Sequence, residues 1–215
     1  MHKNEKNKLI NELITESKSI AVIPSKIGGV DAFCAGAGLF HVLKNHGKKV
    51  ELIYPGRIPD GCEGVINEKE VTSNIKRRDL VVSVDYADTD VEKVQYSTED
   101  GVFYLRFGPV SRDFDVNKVK AEVHGHKHDA YIIIGAQVPE DLGQTYRELQ
   151  QDLLVGKIIN LDNTDRNTRF GHYNIVDPLK DSVSLLTLHA ALDWDLVIGS
   201  EAAQAFLTGI THRKL

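Results

Sequence analysis

The sequence has too few cysteines and too few long apolar runs for several large classes of protein. Only two cysteines, Cys34 and Cys62, occur in 215 residues, so there is no disulfide framework and no cysteine spacing of a zinc site. No stretch approaches the ~20 consecutive apolar residues that span a bilayer, and the N-terminal "MHKNEKNKLINELITESKS" has no apolar signal core. We therefore predict a cytoplasmic protein with two plain thiols and no membrane partner.

The chain also lacks a strong positive charge. Its formal net charge is -5 at pH 7, which gives no general attraction for a long polyanion and argues against broad duplex binding. A small nucleotide or a short oligonucleotide remains compatible with a local basic pocket, and homo-oligomerisation is compatible with the composition. With 41% hydrophobic residues, a chain of this length buries a substantial core.

Apolar runs typical of buried strands alternate with helical patterns along the chain. The fold class predicted is α/β, a mostly parallel sheet flanked by helices, and we expect one domain over residues 1–215. "DLVVSV", "YIIIGA" and "KIINL" are expected to be central parallel strands because they are continuously apolar. Residues 91–109 alternate apolar and polar residues around Asp100-Gly101, which predicts an antiparallel hairpin at the sheet edge.

Three aspartates come at or just after predicted strands. Asp31 follows the first strand, Asp85 ends "VVSVD" and Asp162 ends "IINLD". Because parallel strands end at one edge of a sheet, these carboxylates are expected to converge there, where they suit a hard cation such as Mg²⁺ or Mn²⁺. The alternative, that each is a helix cap or a turn former, stays open.

Glycines and arginines near the same edge are candidates for holding a phosphate. Backbone N–H groups at Gly28, Gly29 and the following helix N-terminus can bind an anion without a metal. Arg166 and Arg169 can add charge, although arginines in polar loops are usually solvated. The glycine spacing does not match a dinucleotide-binding loop, since Gly36 and Gly38 fall inside the predicted helix, where small residues favour close packing against the sheet.

Histidines supply further candidates. His124, His126 and His128 alternate in "EVHGHKHDAY", so on an extended strand they face one side, as zinc or nickel ligands would. Solvated surface histidines are the simpler interpretation of this charged stretch. His172 and His212 are candidate replacement ligands, with the same simpler interpretation.

The order of these motifs resembles the DHH phosphoesterases, a family that includes RecJ-type exonucleases and oligoribonuclease-like enzymes. "AVIPSKIGGVDAF" resembles the family's strand-loop-helix motif, with Asp31-Ala32 at its end. Asp85 resembles the isolated aspartate of the second motif, and Asp162-Asn163-Thr164 takes the place of the Asp-His-His signature. The resemblance implies the family's N-terminal domain and metal-dependent hydrolysis of phosphate esters in nucleotides or short oligonucleotides.

The sequence departs from the family at its metal ligands. Ser25 stands in place of a histidine, Gly29 in place of an aspartate, and Asn163 and Thr164 in place of both signature histidines. The family's smaller C-terminal substrate-binding domain is also absent from these 215 residues. The resemblance then implies a weak or vestigial site of Asp31, Asp85 and Asp162 for Mn²⁺ or Mg²⁺, or no metal at all, with Asn163 among the residues near the phosphate.

Three hypotheses follow from this combination of resemblance and departure. The first is a phosphoesterase-like domain whose hydrolysis is lost or reduced. The second is a non-catalytic module that binds a nucleotide or a protein partner. The third is a working hydrolase with one metal ion and an unorthodox ligand such as His172.

Overall fold

The computed structural model describes residues 3–73, 79–87, 92–110, 114–124 and 128–212. The chain divides into two compact units, a larger one of residues 1–76 and 126–215 and a smaller one of residues 77–125. The expectation of one domain over residues 1–215 stays a prediction, and each unit is described by itself below.

A six-stranded parallel sheet forms the centre of the larger unit. Its strands, in chain order, are β1 (Ser19–Pro24), β2 (Lys49–Ile53), β3 (Val71–Thr72), β8 (Ala130–Ile134), β9 (Lys157–Asp162) and β10 (Tyr173–Val176). The spatial order is β10-β9-β8-β1-β2-β3, and every neighbouring pair is parallel. The α/β class is thereby confirmed, as are the interior positions of "YIIIGA" in β8 and "KIINL" in β9. The sequence analysis did not predict β3 and β10, which are short and lie at the two edges.

In the described part of the larger unit, five α-helices flank this sheet: α1 (Lys3–Glu16), α2 (Gly29–Asn45), α3 (Gln144–Val155), α4 (Val183–Asp193) and α5 (Ser200–His212). Apolar residues of α1, α2, α4 and α5 share one core with side chains such as Val22 and Ile132. Leu149 and Leu153 of α3 pack in a second core with Ile23 and Ile133. Neighbouring residues along β1 and β8 therefore contribute to different cores, which explains their continuous apolar runs. None of the described helices is both long and apolar enough to cross a membrane.

Small residues let α2 approach its neighbours closely, as the sequence predicted. A Cβ on Gly36 would lie 2.9 Å from Cγ of Pro24 in β1, so this glycine sets the distance between helix and sheet. Gly38 instead faces α5, where a Cβ would lie 2.7 Å from the Phe206 ring. The expected helix–sheet approach is thus confirmed for Gly36, whereas Gly38 serves helix–helix packing.

The smaller unit contains two separate two-stranded antiparallel sheets. The strand β4 (Asp79–Val84) pairs with β7 (Val119–His124), and β5 (Lys93–Glu99) pairs with β6 (Val102–Gly108). The hairpin is confirmed, and its turn residues Asp100 and Gly101 both have positive φ, as the tight turn requires. Its placement at the edge of the parallel sheet was wrong, because among the described strands β5 and β6 form a two-stranded sheet of their own.

The prediction that "DLVVSV" is a central parallel strand was also wrong. This segment is β4, which pairs antiparallel with β7 outside the six-stranded sheet. Leu80 is 68% exposed and Val82 43%. A continuous apolar run is typical of two-sided burial, but in this unit it marks a strand with exposed apolar side chains.

Candidate functional site

A pocket of about 310 Å³ lies where β1, β8 and β9 end. It is lined by residues that follow these strands and by residues of three helical segments: Ile27, Gly28, Val30, Asp31, Gly135, Gln137, Asp162, Asn163, Thr164, Val183 and His212. Ligands of open α/β sheets bind at this edge. The structure therefore brings together two of the three predicted aspartates, Asp31 and Asp162, in one cleft.

Asp31 holds the beginning of α4. Its Oδ2 accepts a hydrogen bond from the Val183 N–H at 2.8 Å, and its Oδ1 accepts one from the Ser184 N–H at 2.9 Å. The Ser184 hydroxyl donates to the Asp31 carbonyl oxygen at 2.9 Å. The first amides of a helix lack partners within it, and its N-terminus attracts negative charge. Asp31, in α2, thus accepts hydrogen bonds from the first two amides of the neighbouring helix α4.

Asp162 accepts three hydrogen bonds from residues of its own loop. Its Oδ1 accepts from the Asn163 N–H at 2.9 Å, while Oδ2 accepts from the Thr164 hydroxyl at 2.6 Å and from Nδ2 of Asn167 at 2.9 Å. The residue is only 2% exposed. A buried carboxylate must be balanced by donors or cations, and here the protein's own polar groups provide three donors.

Asp85 lies in the smaller unit, after β4, and is not carried by the parallel sheet. Its side chain is exposed and accepts a hydrogen bond from the Ala87 N–H at 3.1 Å. This is the local contact that aspartates make in turns. Asp85 therefore has the geometry of a turn former, the alternative that the sequence left open.

The two carboxylates of the pocket do not match a pair of transition-metal ions. Asn163 and Thr164 offer neutral oxygens, and the Thr164 hydroxyl is already directed at Asp162. Within the described ranges, no group of three His, Cys, Asp or Glu side chains is placed to hold a metal ion. A two-metal centre needs several carboxylate or imidazole ligands around each ion. The donor set around Asp31 and Asp162 does not provide them.

Glycines shape the floor of the pocket. A Cβ on Gly28 would lie 2.5 Å from Cβ of Ala32, and one on Gly135, whose φ is +71°, would lie 2.9 Å from the same atom. Gly28 lines the pocket, whereas Gly29, with φ +57°, has no neighbour that a Cβ would meet. Gly29 begins α2 after Gly28, so the backbone here turns directly from the loop into the helix.

The remaining predicted phosphate-site residues are divided between pocket and surface. Asn163 lines the pocket and donates through Nδ2 to the Lys180 carbonyl at 3.0 Å. Arg166 and Arg169 are exposed and do not line the pocket. Ser25 is buried, accepts from the Ile27 N–H at 3.2 Å, and organises the loop before α2.

His128 is buried rather than solvated. It is 6% exposed, its Nδ1 lies 2.8 Å from the Ser19 hydroxyl, and its Nε2 lies 3.1 Å from Oε2 of Glu51. The solvated interpretation was therefore wrong for this histidine. Of the predicted row, His124 is the last residue of β7, and His128 precedes β8, which begins at Ala130. His126 and the His124 side chain lie outside what is described.

His172 and His212 differ in their relation to the pocket. Nδ1 of His172 accepts a hydrogen bond from the Ile158 N–H at 3.1 Å. Burial lowers the pKa of His172, and Lys157 lowers it further. His172 is thus a neutral hydrogen-bond acceptor for β9 and is not one of the residues that line the pocket. His212, at the end of α5, does line it.

Asn167 is the most important residue that the sequence analysis did not single out. Nδ2 bonds the Ala136 carbonyl at 2.8 Å as well as Asp162, and Oδ1 accepts from the Arg169 N–H at 2.7 Å. It thereby connects the loop after β9 to the end of β8. The only sequence signal was its position in "NTDRNTRFG", where Asn163 and Asn167 are equally eligible.

The fold is shared with a solved protein. A crystal structure of an exopolyphosphatase-related protein from Bacteroides fragilis superposes on this chain with a TM-score of 0.66 at 15% sequence identity. The match covers all of this chain and 52% of that protein, so this chain spans about half its length. No family model and no curated protein matches the sequence. At this identity, the likeness establishes the fold alone.

Proposed function

We propose that this chain is a phosphoesterase-like domain that binds a phosphate ester of a nucleotide or short oligonucleotide, with hydrolysis lost or reduced. The observation that carries the proposal is the engagement of both pocket carboxylates by the protein's own donors. In a metal-dependent hydrolase these oxygens would bind the ions. The exopolyphosphatase-related neighbour supports the phosphate class of ligand.

The N-terminus of α2 supports anion binding in this pocket, whereas the first amides of α4 already donate to Asp31 and contribute only the field of their helix. Gly28 and Val30, at the beginning of α2, and Val183, the first residue of α4, all line it. A helix N-terminus carries a partial positive charge and offers backbone N–H groups to phosphate oxygens. Asp31 is neutralised in part by the α4 amides that it accepts, so its repulsion of an anion is weakened.

A metal ion has a minor place in this proposal. Asp31 and Asp162 keep lone pairs that can coordinate one Mg²⁺ or Mn²⁺ weakly, as hard oxygen donors do. Such an ion would reduce the repulsion between the carboxylates and a phosphate. We expect calorimetric titration with Mn²⁺ to give millimolar affinity or no binding, and micromolar affinity would favour the working one-metal hydrolase instead.

Charge variants at the pocket rim test the binding of a phosphate. Ile27 lines the pocket with a side chain that is 64% exposed, so its substitution should leave the fold intact. Ile27→Lys should strengthen and Ile27→Glu weaken binding of a nucleoside monophosphate by roughly threefold to tenfold, with Ile27→Gln as the neutral control. Calorimetry should show no such trend for the unphosphorylated nucleoside. Absence of binding, or an affinity for the monophosphate that does not change with the charge at position 27, would contradict the proposal.

The smaller unit favours a second candidate function, interaction with a protein partner. Its strands expose large apolar side chains, including Leu80, Tyr96 and Phe103, each more than 60% exposed. Exposed apolar residues on neighbouring strands are typical of interaction surfaces. Sedimentation analysis of the chain, with Tyr96→Lys as a comparison, tests for self-association, which is the simplest form of this candidate.

A further inference from the structure

The chain's only two cysteines are neighbours in space although they are 28 positions apart. Sγ of Cys34, in α2, lies 3.6 Å from Sγ of Cys62, in the segment between β2 and β3. Both residues are free thiols and are buried. A disulfide has an S–S distance of about 2.05 Å, so the sulfur atoms must approach by about 1.5 Å to be joined.

The segment that carries Cys62 is built of turns and has glycines on both sides of the cysteine. The Cys62 N–H donates to the Pro59 carbonyl at 3.1 Å, and the Val65 N–H donates to the Cys62 carbonyl at 3.2 Å. Gly61 has φ +90° and Gly64 has φ +78°. Glycine tolerates a wide range of backbone angles, so this segment can adjust by the required distance without displacing α2.

The two thiols are chemically unequal. The hydrogen bond from Cys34 lowers the pKa of Cys62, although burial opposes this effect. The bond with Cys62, together with burial, raises the pKa of Cys34. Cys34 is fixed within α2, whereas Cys62 lies in a turn segment beside the positive-φ residues Gly61 and Gly64, which can move its sulfur towards a reagent. Because the thiolate is the reactive form of cysteine, we assign Cys62 as the nucleophile of the pair and Cys34 as the resolving thiol.

The cysteine pair lies beside the candidate pocket. Cys34 is one helical turn after Asp31 in α2, and the segment carrying Cys62 also approaches a second pocket residue. A Cβ on Gly61 would lie 3.9 Å from Nδ1 of His212, and both Asp31 and His212 line the pocket. A bond between the cysteines would therefore fasten this segment to α2 at the pocket wall.

We propose that Cys34 and Cys62 are an oxidative modification site at which a peroxide forms a reversible intramolecular disulfide. The Cys62 thiolate attacks one peroxide oxygen, the O–O bond breaks, and Cys62 becomes a sulfenic acid while the other oxygen leaves and is protonated to water. The Cys34 thiol then attacks the sulfenic sulfur, loses its proton, and releases the second water. Two thiols lose two electrons to one hydrogen peroxide, and a dithiol reductant restores them.

Mass spectrometry of the full chain after hydrogen peroxide treatment tests this site. We expect a loss of two mass units, one cross-linked peptide pair containing Cys34 and Cys62, and reversal by dithiothreitol. The oxidised chain should also melt on the order of 5–10 °C higher, because the bond constrains the unfolded chain. Thiols that both remain open to alkylation after denaturation, or disulfides that link only separate chains, would overturn the proposal.

Two alanine variants test the order of the steps. Cys34→Ala should accumulate a sulfenic acid at Cys62, which dimedone traps, because the resolving thiol is missing. Cys62→Ala should give much less dimedone adduct at Cys34. Equal trapping in both variants would overturn the assignment of Cys62 as nucleophile. If either variant does not fold, brief peroxide treatment of the unmodified chain with dimedone present gives the same comparison of adducts at the two positions.

Discussion

The three aspartates that motivated a metal site have distinct roles in holding local structure. Asp31 caps a neighbouring helix, Asp85 stabilises a turn, and Asp162 receives three donors from its loop. A carboxylate that accepts hydrogen bonds from fixed amides stabilises the folded chain whether or not it also binds an ion. Thr164 donates its side-chain hydroxyl to Asp162, whereas Asn163 donates its backbone N–H, which any residue except proline would supply at this position.

The structural role of Asp31 predicts a loss of stability on substitution. Asp31→Asn removes the negative charge and replaces one acceptor oxygen by an NH₂ group. One α4 amide then loses its acceptor, and the other donates to a neutral oxygen instead of a charged one. We expect the free energy of unfolding to fall by about 1–3 kcal/mol in urea titrations without added metal.

Asp85→Asn is the matched control for this substitution. The exposed turn contact of Asp85 needs only one oxygen, so stability should change by less than about 0.5 kcal/mol. Equal, small effects of both variants would contradict the capping role of Asp31.

His172 predicts a pH dependence of stability. Its pKa is lowered from 6.5 in the folded chain, by burial first and by Lys157 second. As the pH falls below about 6.5, the unfolded chain therefore takes up a proton before the folded chain does, which favours unfolding. The stabilising contribution of neutral His172 is present above pH 6.5 and is lost as the pH falls through the folded-state pKa.

The measurement compares the native chain with His172→Asn, whose side-chain oxygen can still accept from the Ile158 N–H. Urea unfolding at several pH values should show similar stability near pH 8 and a relative loss for the native chain below pH 6.5. Stability curves that stay parallel over this range would show that His172 does not titrate as described.

At the level of elements, the packing of α5 against α2 and α4 depends on small residues. Gly209 of α5 faces the beginning of α4, where a Cβ would lie 2.0 Å from Oγ of Ser184 and 2.9 Å from Cβ of Cys34. The Ser184 hydroxyl is itself bonded to the Asp31 carbonyl. The close approach of α5 therefore helps to fix Ser184 and, through its hydrogen bond, the pocket residue Asp31.

Gly209→Ala should destabilise the protein even though alanine favours helix formation. Overpacking of this contact is expected to cost about 1–3 kcal/mol beyond the helix propensity gained, measured by urea unfolding. Gln204→Ala places alanine on the exposed part of the same helix and should change stability by less than about 0.5 kcal/mol. A neutral or stabilising Gly209→Ala would show that α5 is not packed so closely.

For the whole molecule, the sequence predicted the parallel sheet well because its strands are continuously apolar and alternate with helices. The same criterion failed for β4, since an apolar run reports hydrophobicity but not which strand it pairs with. Asp31 and Asp162 were correctly placed at one edge by the rule for parallel strands. Their hydrogen-bond partners, Ser184 and Asn167, could not be predicted because these contacts depend on how loops and helices pack.

Manganese-dependent hydrolysis of a dinucleotide is the most direct test of the claim that the pocket carboxylates serve the protein's own hydrogen bonds. The native chain with about 1 mM Mn²⁺, which lies in the range of affinities of weak oxygen-donor sites, should release product no faster than background. Asp162→Asn should leave this rate unchanged. Turnover that requires Mn²⁺ and is abolished by Asp162→Asn would contradict the account and establish a working metal-dependent hydrolase.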